Sequence, residues 1–159
     1  MLYPAIQYKK SLSDIMGKLI EDPKYQYCRY TPKFEQAPDH IVELVSVYKN
    51  EILGFITYST SDIVPNVILG FTVMSFTDKA FLFGKDLYKL LYKLLLIENN
   101  HRVEFKVIIG NPIELTYQKL CNTIFEPGPK LSAKANRYIL SREKLKQYLK
   151  KDDNKIGLS

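Results

Sequence analysis

A mixed α/β fold, with one sheet flanked by helices, is predicted by three observations. Two runs rich in β-branched residues, 40–49 and 52–60, flank a short polar turn. A third run, "VILGFTVMSF" (67–76), is apolar on both faces, the mark of a strand in the middle of a sheet. A leucine-striped helix separates it from another β-rich run, "VEFKVIIG" (103–110), and a strand–helix–strand crossover makes those two strands parallel.

The elements follow in order. Ser11 or Ser13 can cap a short helix reaching Ile20, with Ile15, Met16, Leu19 and Ile20 on one face. The stretch 21–40 holds three prolines and no helical period, so it reads as an irregular connection with a brief extended piece near 25–30. In "HIVELVSVYK", Val42, Leu44 and Ser46 alternate with Glu43, Val45 and Val47, and Asn50-Glu51 turns the chain into "ILGFITYST". That pair is an antiparallel hairpin. After 67–76 a polar loop leads to a helix over 85–97, whose Leu87, Leu90, Leu91, Leu94 and Leu95 form a buried stripe while Lys85, Lys89 and Lys93 form a solvent ridge. Asn111, Pro112 and Glu114 fit a helix start with a capping box, and a helix over 112–121 would bury Ile113, Tyr117, Leu120 and Cys121. "EPGP" breaks the chain, "NRYIL" is a last strand, and Ser141 caps a terminal helix with Leu145, Tyr148 and Leu149 inward.

Composition narrows the class. The 159 residues suit one domain, placed at 1–150, with 151–159 as a flexible basic tail. No run approaches the roughly 20 apolar residues of a membrane-spanning helix, and "MLYPAIQYKK" lacks the apolar core of a secretion signal. With only Cys28 and Cys121 no disulfide framework is expected, and a cytoplasmic location is. The net charge of +6 suggests an anionic partner, although part of the excess lies in the tail. His40 and His101 have no cysteine or carboxylate at ligand spacing, so no metal is expected. Walker, dinucleotide and serine-elbow motifs are absent from the sequence.

The loop-to-helix stretch "SFTDKAFLFGKDLYKLLYKLLL" (75–96) carries the strongest chemical signal, with Gly84 read as the joint. A helix start offers unpaired N–H donors and a partial positive charge, which suit a diphosphate, and Lys85 adds charge beside it. Within the element order above, this stretch resembles the GNAT N-acetyltransferase superfamily over about 41–140. The family's pyrophosphate loop, Gln/Arg-x-x-Gly-x-Gly/Ala, matches Lys79 and Gly84, with Leu82 in place of the middle glycine. The resemblance implies a central mixed sheet of six to seven strands and acetyl-coenzyme A as co-substrate. It places pantetheine pairing on Val73, Met74 and Ser75, and the diphosphate at Lys79, Leu82, Gly84 and Lys85. Asn111 matches the family's asparagine at the next helix start.

"Tyr-Gln-Lys-Leu-Cys" (117–121) matches a second family run up to Cys121, and implies that Tyr117 is the general acid returning a proton to the coenzyme A thiolate. The family's strand-borne glutamate base has no counterpart in 67–76; Asp62, Asp78 and Glu104 are the substitutes. "KYQYCRYTPKF" (24–34) interleaves Lys24, Arg29 and Lys33 with four aromatics, as single-strand binders do. In the acetyltransferase reading it borders the acceptor cleft instead. The expected function is acetyl transfer from acetyl-coenzyme A to a primary amine, of a small molecule or a protein. The alternative is a catalytically inactive GNAT-like binding or interaction module. Nucleic acid and membrane are not expected partners, and a homodimer is allowed.

Overall fold

The computed structural model describes residues 1–23, 30–61, 63–76, 80–108, 123–130 and 133–156. Seven strands form one sheet: β1 (Leu2–Pro4), β2 (Ile41–Tyr48), β3 (Glu51–Thr60), β4 (Val67–Ser75), β5 (Arg102–Ile108), β6 (Phe125–Pro127) and β7 (Ala135–Leu140). Their spatial order is β1-β2-β3-β4-β5-β7-β6, with β4 and β5 parallel and every other pair antiparallel. The helices are α1 (Lys9–Leu19), α2 (Ala80–Tyr92) and α3 (Arg142–Ile156). The α/β class, the hairpin, the central β4 and the parallel crossover are as the sequence predicts. α3 runs on to Ile156, past the domain boundary read at residue 150.

Several boundaries differ. The β2–β3 turn is Lys49-Asn50, one residue earlier than expected, and both residues have positive φ (48° and 64°), the two-residue turn that matches strand twist. α1 starts at Lys9, fed by a 3-10 turn over Ala5–Tyr8, and has no side-chain cap. Ser11 and Ser13 are therefore interior and exposed; Leu12 is the fully buried residue, while Ile20 is 84% exposed. "EPGP" conceals β6, an edge strand on β7, where Pro127 loses no ladder bond that the sheet needs. Ser141 does cap α3, accepting the Lys144 N–H on Oγ at 3.3 Å. Leu145 and Leu149 are buried as expected.

The sheet separates two cores. On one face α2 and α3 cover Leu53, Ile56, Phe71, Phe105 and Leu140, and the expected stripe of Leu90, Leu91, Leu94 and Leu95 faces inward. Lys85, Lys89 and Lys93 are exposed. A row of rings crosses this face: Tyr58 stacks on Phe71 at 5.3 Å, Phe71 on Phe105 at 4.5 Å, and Phe105 meets Phe125 edge-on at 4.9 Å. Burial pushes the Tyr58 hydroxyl up to about 12, with the Glu98 carboxylate adding to it. On the other face α1 and the 30–36 segment cover Val45, Val47, Phe55 and Met74.

Candidate active site

The sheet comes apart at its centre. β4 pairs with β5 from Val67–Arg102 to Phe71–Phe105, and among the described residues the pairing goes no further. Gly70, at φ +61°, lies in the register shift between Ile68 and Phe71, a conformation glycine adopts without a Cβ penalty. The stacked Phe71–Phe105 pair marks the last rung. Beyond it Thr72, Val73, Met74 and Ser75 keep their register with β3 alone, so a wedge opens between the C-terminal half of β4 and β5. Val73 turns to the α2 face and Met74 to the α1 face.

The start of α2, with four residues between it and the end of β4, packs on β3. Gly54 pairs with Ser75, and a Cβ built on Gly54 would come within 2.5 Å of Phe83 Cζ and 2.7 Å of the Met74 carbonyl oxygen. The bare Cα of Gly54 therefore seats the Phe83 ring and brings the first turn of α2 against the end of β4. Ser46 Oγ donates to Asp86 Oδ2 at 2.7 Å and fixes the second turn. The helix expected from Lys85 begins at Ala80, because Phe83 gains a packing partner that sequence periodicity does not reveal. Gly84 is thus inside the helix rather than at the joint. Leu82 is helical too, needs no positive φ, and packs on the core, so its Cβ does not restrict a turn. The N–H donors left without an intrahelical partner belong to 80–83, and Lys85 is exposed further along the helix.

At Gly84 an added Cβ meets no described heavy atom within 4 Å. Gly84→Ala is expected to stabilise the protein by about 0.5–1 kcal/mol, the helix propensity gain, measured as a higher midpoint in urea unfolding.

On the α1 face a cavity of about 720 Å³ reaches β4 at Met74. Its walls come from the C-terminal end of α1 and from Tyr30, Pro32 and Phe34. Glu43, on the same face of β2 as Val45 and Val47, organises that segment. Its carboxylate accepts the Tyr30 hydroxyl at 2.5 Å, the Lys33 N–H at 2.8 Å and the Phe34 N–H at 2.8 Å. These bonds hold Phe34 at φ +51°, a conformation that costs a non-glycine residue about 1–2 kcal/mol. Burial and the Glu43 carboxylate push the Tyr30 hydroxyl up to about 12, so it stays a neutral phenol. Sequence reading missed Glu43; its signal was a carboxylate on the face of β2 otherwise held by valines.

The sequence matches no family model and no curated protein sequence. Solved structures do match. A GNAT-family protein from Desulfovibrio desulfuricans superposes with a TM-score of 0.63 over 89% of this chain and 98% of its own, at 10% identity. Ribosomal-protein-alanine N-acetyltransferase from Brucella melitensis gives 0.60 over 87% and 98%, at 12% identity. Spermidine N-acetyltransferase from Vibrio cholerae, in complex with CoA and spermine, gives 0.59 over 91% and 96%, at 15% identity. This chain has the GNAT fold.

Within the GNAT fold the expected residues divide. Val73, Met74 and Ser75 lie on the separated half of β4, and Leu82, Gly84 and Lys85 lie in the first two turns of α2, so the structure brings these six to one end of the sheet. Lys79, Asn111 and Tyr117, with the helix expected over 112–121, lie outside the described residues, as do Asp62 and Asp78. Glu104 is described. It is buried on β5, with Arg102 Nε 2.7 Å from Oε1 and Arg137 Nε 3.4 Å from Oε2. The Arg102 contact lacks hydrogen-bond alignment, so it is a charge contact rather than a directed bond. Both carboxylate oxygens therefore lie against guanidinium groups. Among the described residues no helix is long and apolar enough to cross a membrane, and no three metal-ligating side chains converge.

Proposed function

We propose that the protein is an N-acetyltransferase that moves the acetyl group of acetyl-coenzyme A to a primary amine. The observation that carries this reading is the separation of β4 from β5 beyond Phe71–Phe105, with four residues between the end of β4 and the start of α2. The donor set suits a pantetheine thioester. Strand groups on the separated half of β4 suit amides, and the N–H groups of 80–83 with the macrodipole suit a diphosphate. Acetyl-coenzyme A supplies the activated acetyl group. The β4 backbone aligns the pantetheine arm, an N–H of 73–75 polarises the thioester carbonyl, and Tyr117 gives its proton to the departing sulfur. A C–N bond forms as the C–S bond breaks, and the amine's proton leaves to water. Alignment of the two substrates carries much of the rate, which suits a site with no carboxylate on β4.

That missing carboxylate also favours a second reading, a GNAT-like binding module without turnover. One experiment separates them. Coenzyme A or acetyl-coenzyme A at a hundredfold excess over its Kd is expected to stabilise the native state by about 2.7 kcal/mol, raising Tm by roughly 5–10 °C. No shift with either at millimolar concentration overturns the acetyltransferase reading. A shift with turnover on an amine supports the enzyme, and Tyr117→Phe is then expected to lower turnover by at least about tenfold with the shift retained. A shift without turnover supports the module.

A further inference from the structure

Past the split between β4 and β5, the α1 face of the sheet becomes charged. On β5 the residues that alternate with the buried Val103, Phe105 and Val107 are Arg102, Glu104 and Lys106. On β7 those that alternate with Tyr138 and Leu140 are Arg137 and Ile139. Lys106 is in register with Arg137, so two like charges stand directly opposite each other, which costs stability in a ladder. Glu104 lies against Nε of Arg102 and of Arg137, one row away. Lys106 is exposed, and among the described residues no carboxylate pairs with it. Glu126, on the same face of β6, is in register with Ile139 rather than with Arg137. Arg137 is held by its stem. A Cβ built on Gly128 would come within 3.1 Å of Arg137 Cγ and Cδ, so the bare Cα of Gly128 seats that side chain. Lys106 directly follows the last rung, Phe71–Phe105, on the face that carries Met74. At about 3.3 Å per residue, 73–75 lie roughly 7–13 Å past that rung along β4.

We propose that Lys106 and Arg137 form an oxyanion-binding subsite beside the transfer centre, and that the acceptor is a small primary amine carrying a carboxylate or phosphate group. The assignment rests on the acetyltransferase reading above, which puts the thioester at 73–75. An oxyanion between the two side chains relieves their mutual repulsion and accepts charge-assisted bonds from both. The lysine supplies a mobile point charge, and the arginine, seated over Gly128, supplies a directed edge. With the acid held there, the amine at the far end of a short extended chain is carried towards 73–75. The same cations repel a second ammonium group, which sets such an acceptor apart from a polyamine. They also favour the uncharged form of the incoming amine, which is the nucleophile. That assists a step for which β4 offers no carboxylate.

The test uses the full chain. Coenzyme A binding is measured first by calorimetry. Thiol release from acetyl-coenzyme A is then followed with two matched pairs, 6-aminohexanoate against hexylamine and phosphoethanolamine against ethanolamine, and with spermidine. At least one acid-bearing amine is expected to give kcat/KM at least about tenfold above its neutral partner and above spermidine, and the pair that shows it tells carboxylate from phosphate. Lys106→Gln, at an exposed position where folding is not at stake, is expected to remove most of that preference, through KM rather than kcat. Lys106→Arg, which keeps the charge, is expected to retain it. A preference for the neutral amines or spermidine, or a preference that survives Lys106→Gln, overturns the subsite while acetyl transfer stands. Loss of coenzyme A affinity in Lys106→Gln assigns the lysine to the coenzyme and likewise overturns the subsite. Coenzyme A binding with no turnover on any of these amines overturns the acceptor assignment alone. Absence of coenzyme A binding overturns the reading beneath it as well.

Discussion

Gly54→Val is expected to cost about 3–5 kcal/mol of stability, with a loss of Tm to match. The cost has two sources. A Cβ at this position would lie 2.5 Å and 2.6 Å from the Cζ and Cε2 atoms of Phe83, and 2.7 Å from the Met74 carbonyl oxygen. The ring can swing away, but it then leaves a buried site where it is 4% exposed. The carbonyl belongs to a β4 residue in register with Phe55 and cannot move without disturbing the β3–β4 ladder. A double-mutant cycle separates the two contributions. In a Phe83→Leu background, Gly54→Ala is expected to cost at least about 1 kcal/mol less than in the wild-type chain, because the shorter side chain leaves room for a Cβ. An unchanged cost would assign the clash to the Met74 carbonyl instead. The functional consequence follows from position. Gly54 sets the first turn of α2 against the end of β4, so Gly54→Ala should weaken coenzyme A binding more than Gly84→Ala does. That result would be opposite to what a motif reading of the two glycines suggests.

The contrast between those glycines shows what the sequence could convey. Period-2 and period-3.6 patterns gave the hairpin, the central strand, the crossover and the leucine stripe, because each depends on one element meeting one core. The start of α2 did not follow from periodicity. Residues 80–84 read equally as a loop or a helix until the Phe83 ring meets Gly54, a contact between positions far apart in the chain. The same limit hid the Glu43 anchor, which ties β2 to Tyr30, Lys33 and Phe34 across an irregular segment. β1 and β6 are three residues each and pair only at the sheet edges, too short for a pattern to register. Of the expected cofactor-binding positions, those on regular elements converge in the fold. Leu82 reads as an anomaly only when placed in a loop; inside a helix it is an ordinary core residue.

Glu104→Gln is expected to cost about 2–4 kcal/mol while leaving turnover per folded molecule within about twofold. Glu104 is the described carboxylate nearest in type to the missing base, which makes the distinction between structure and chemistry testable. It is 6% exposed on β5, between Arg102 and Arg137. A buried charge pair broken on one side leaves its partners uncompensated, and here two guanidinium groups would face each other across a neutral amide. The side chains of Arg102 and Arg137 are 41% and 26% exposed, so both can turn partly to solvent, which places the cost below that of a fully enclosed pair. Urea unfolding measures the loss, and a companion Arg137→Gln variant should recover part of it by removing the facing charge. Turnover is measured well below the midpoint, on the amine that the wild-type chain accepts. A fall of a hundredfold with stability retained would make Glu104 the base, and would require its carboxylate to exchange an arginine for the substrate amine. Stability lost with turnover kept places Glu104 in the sheet's electrostatics. The proton of the amine would then leave without a strand-borne base.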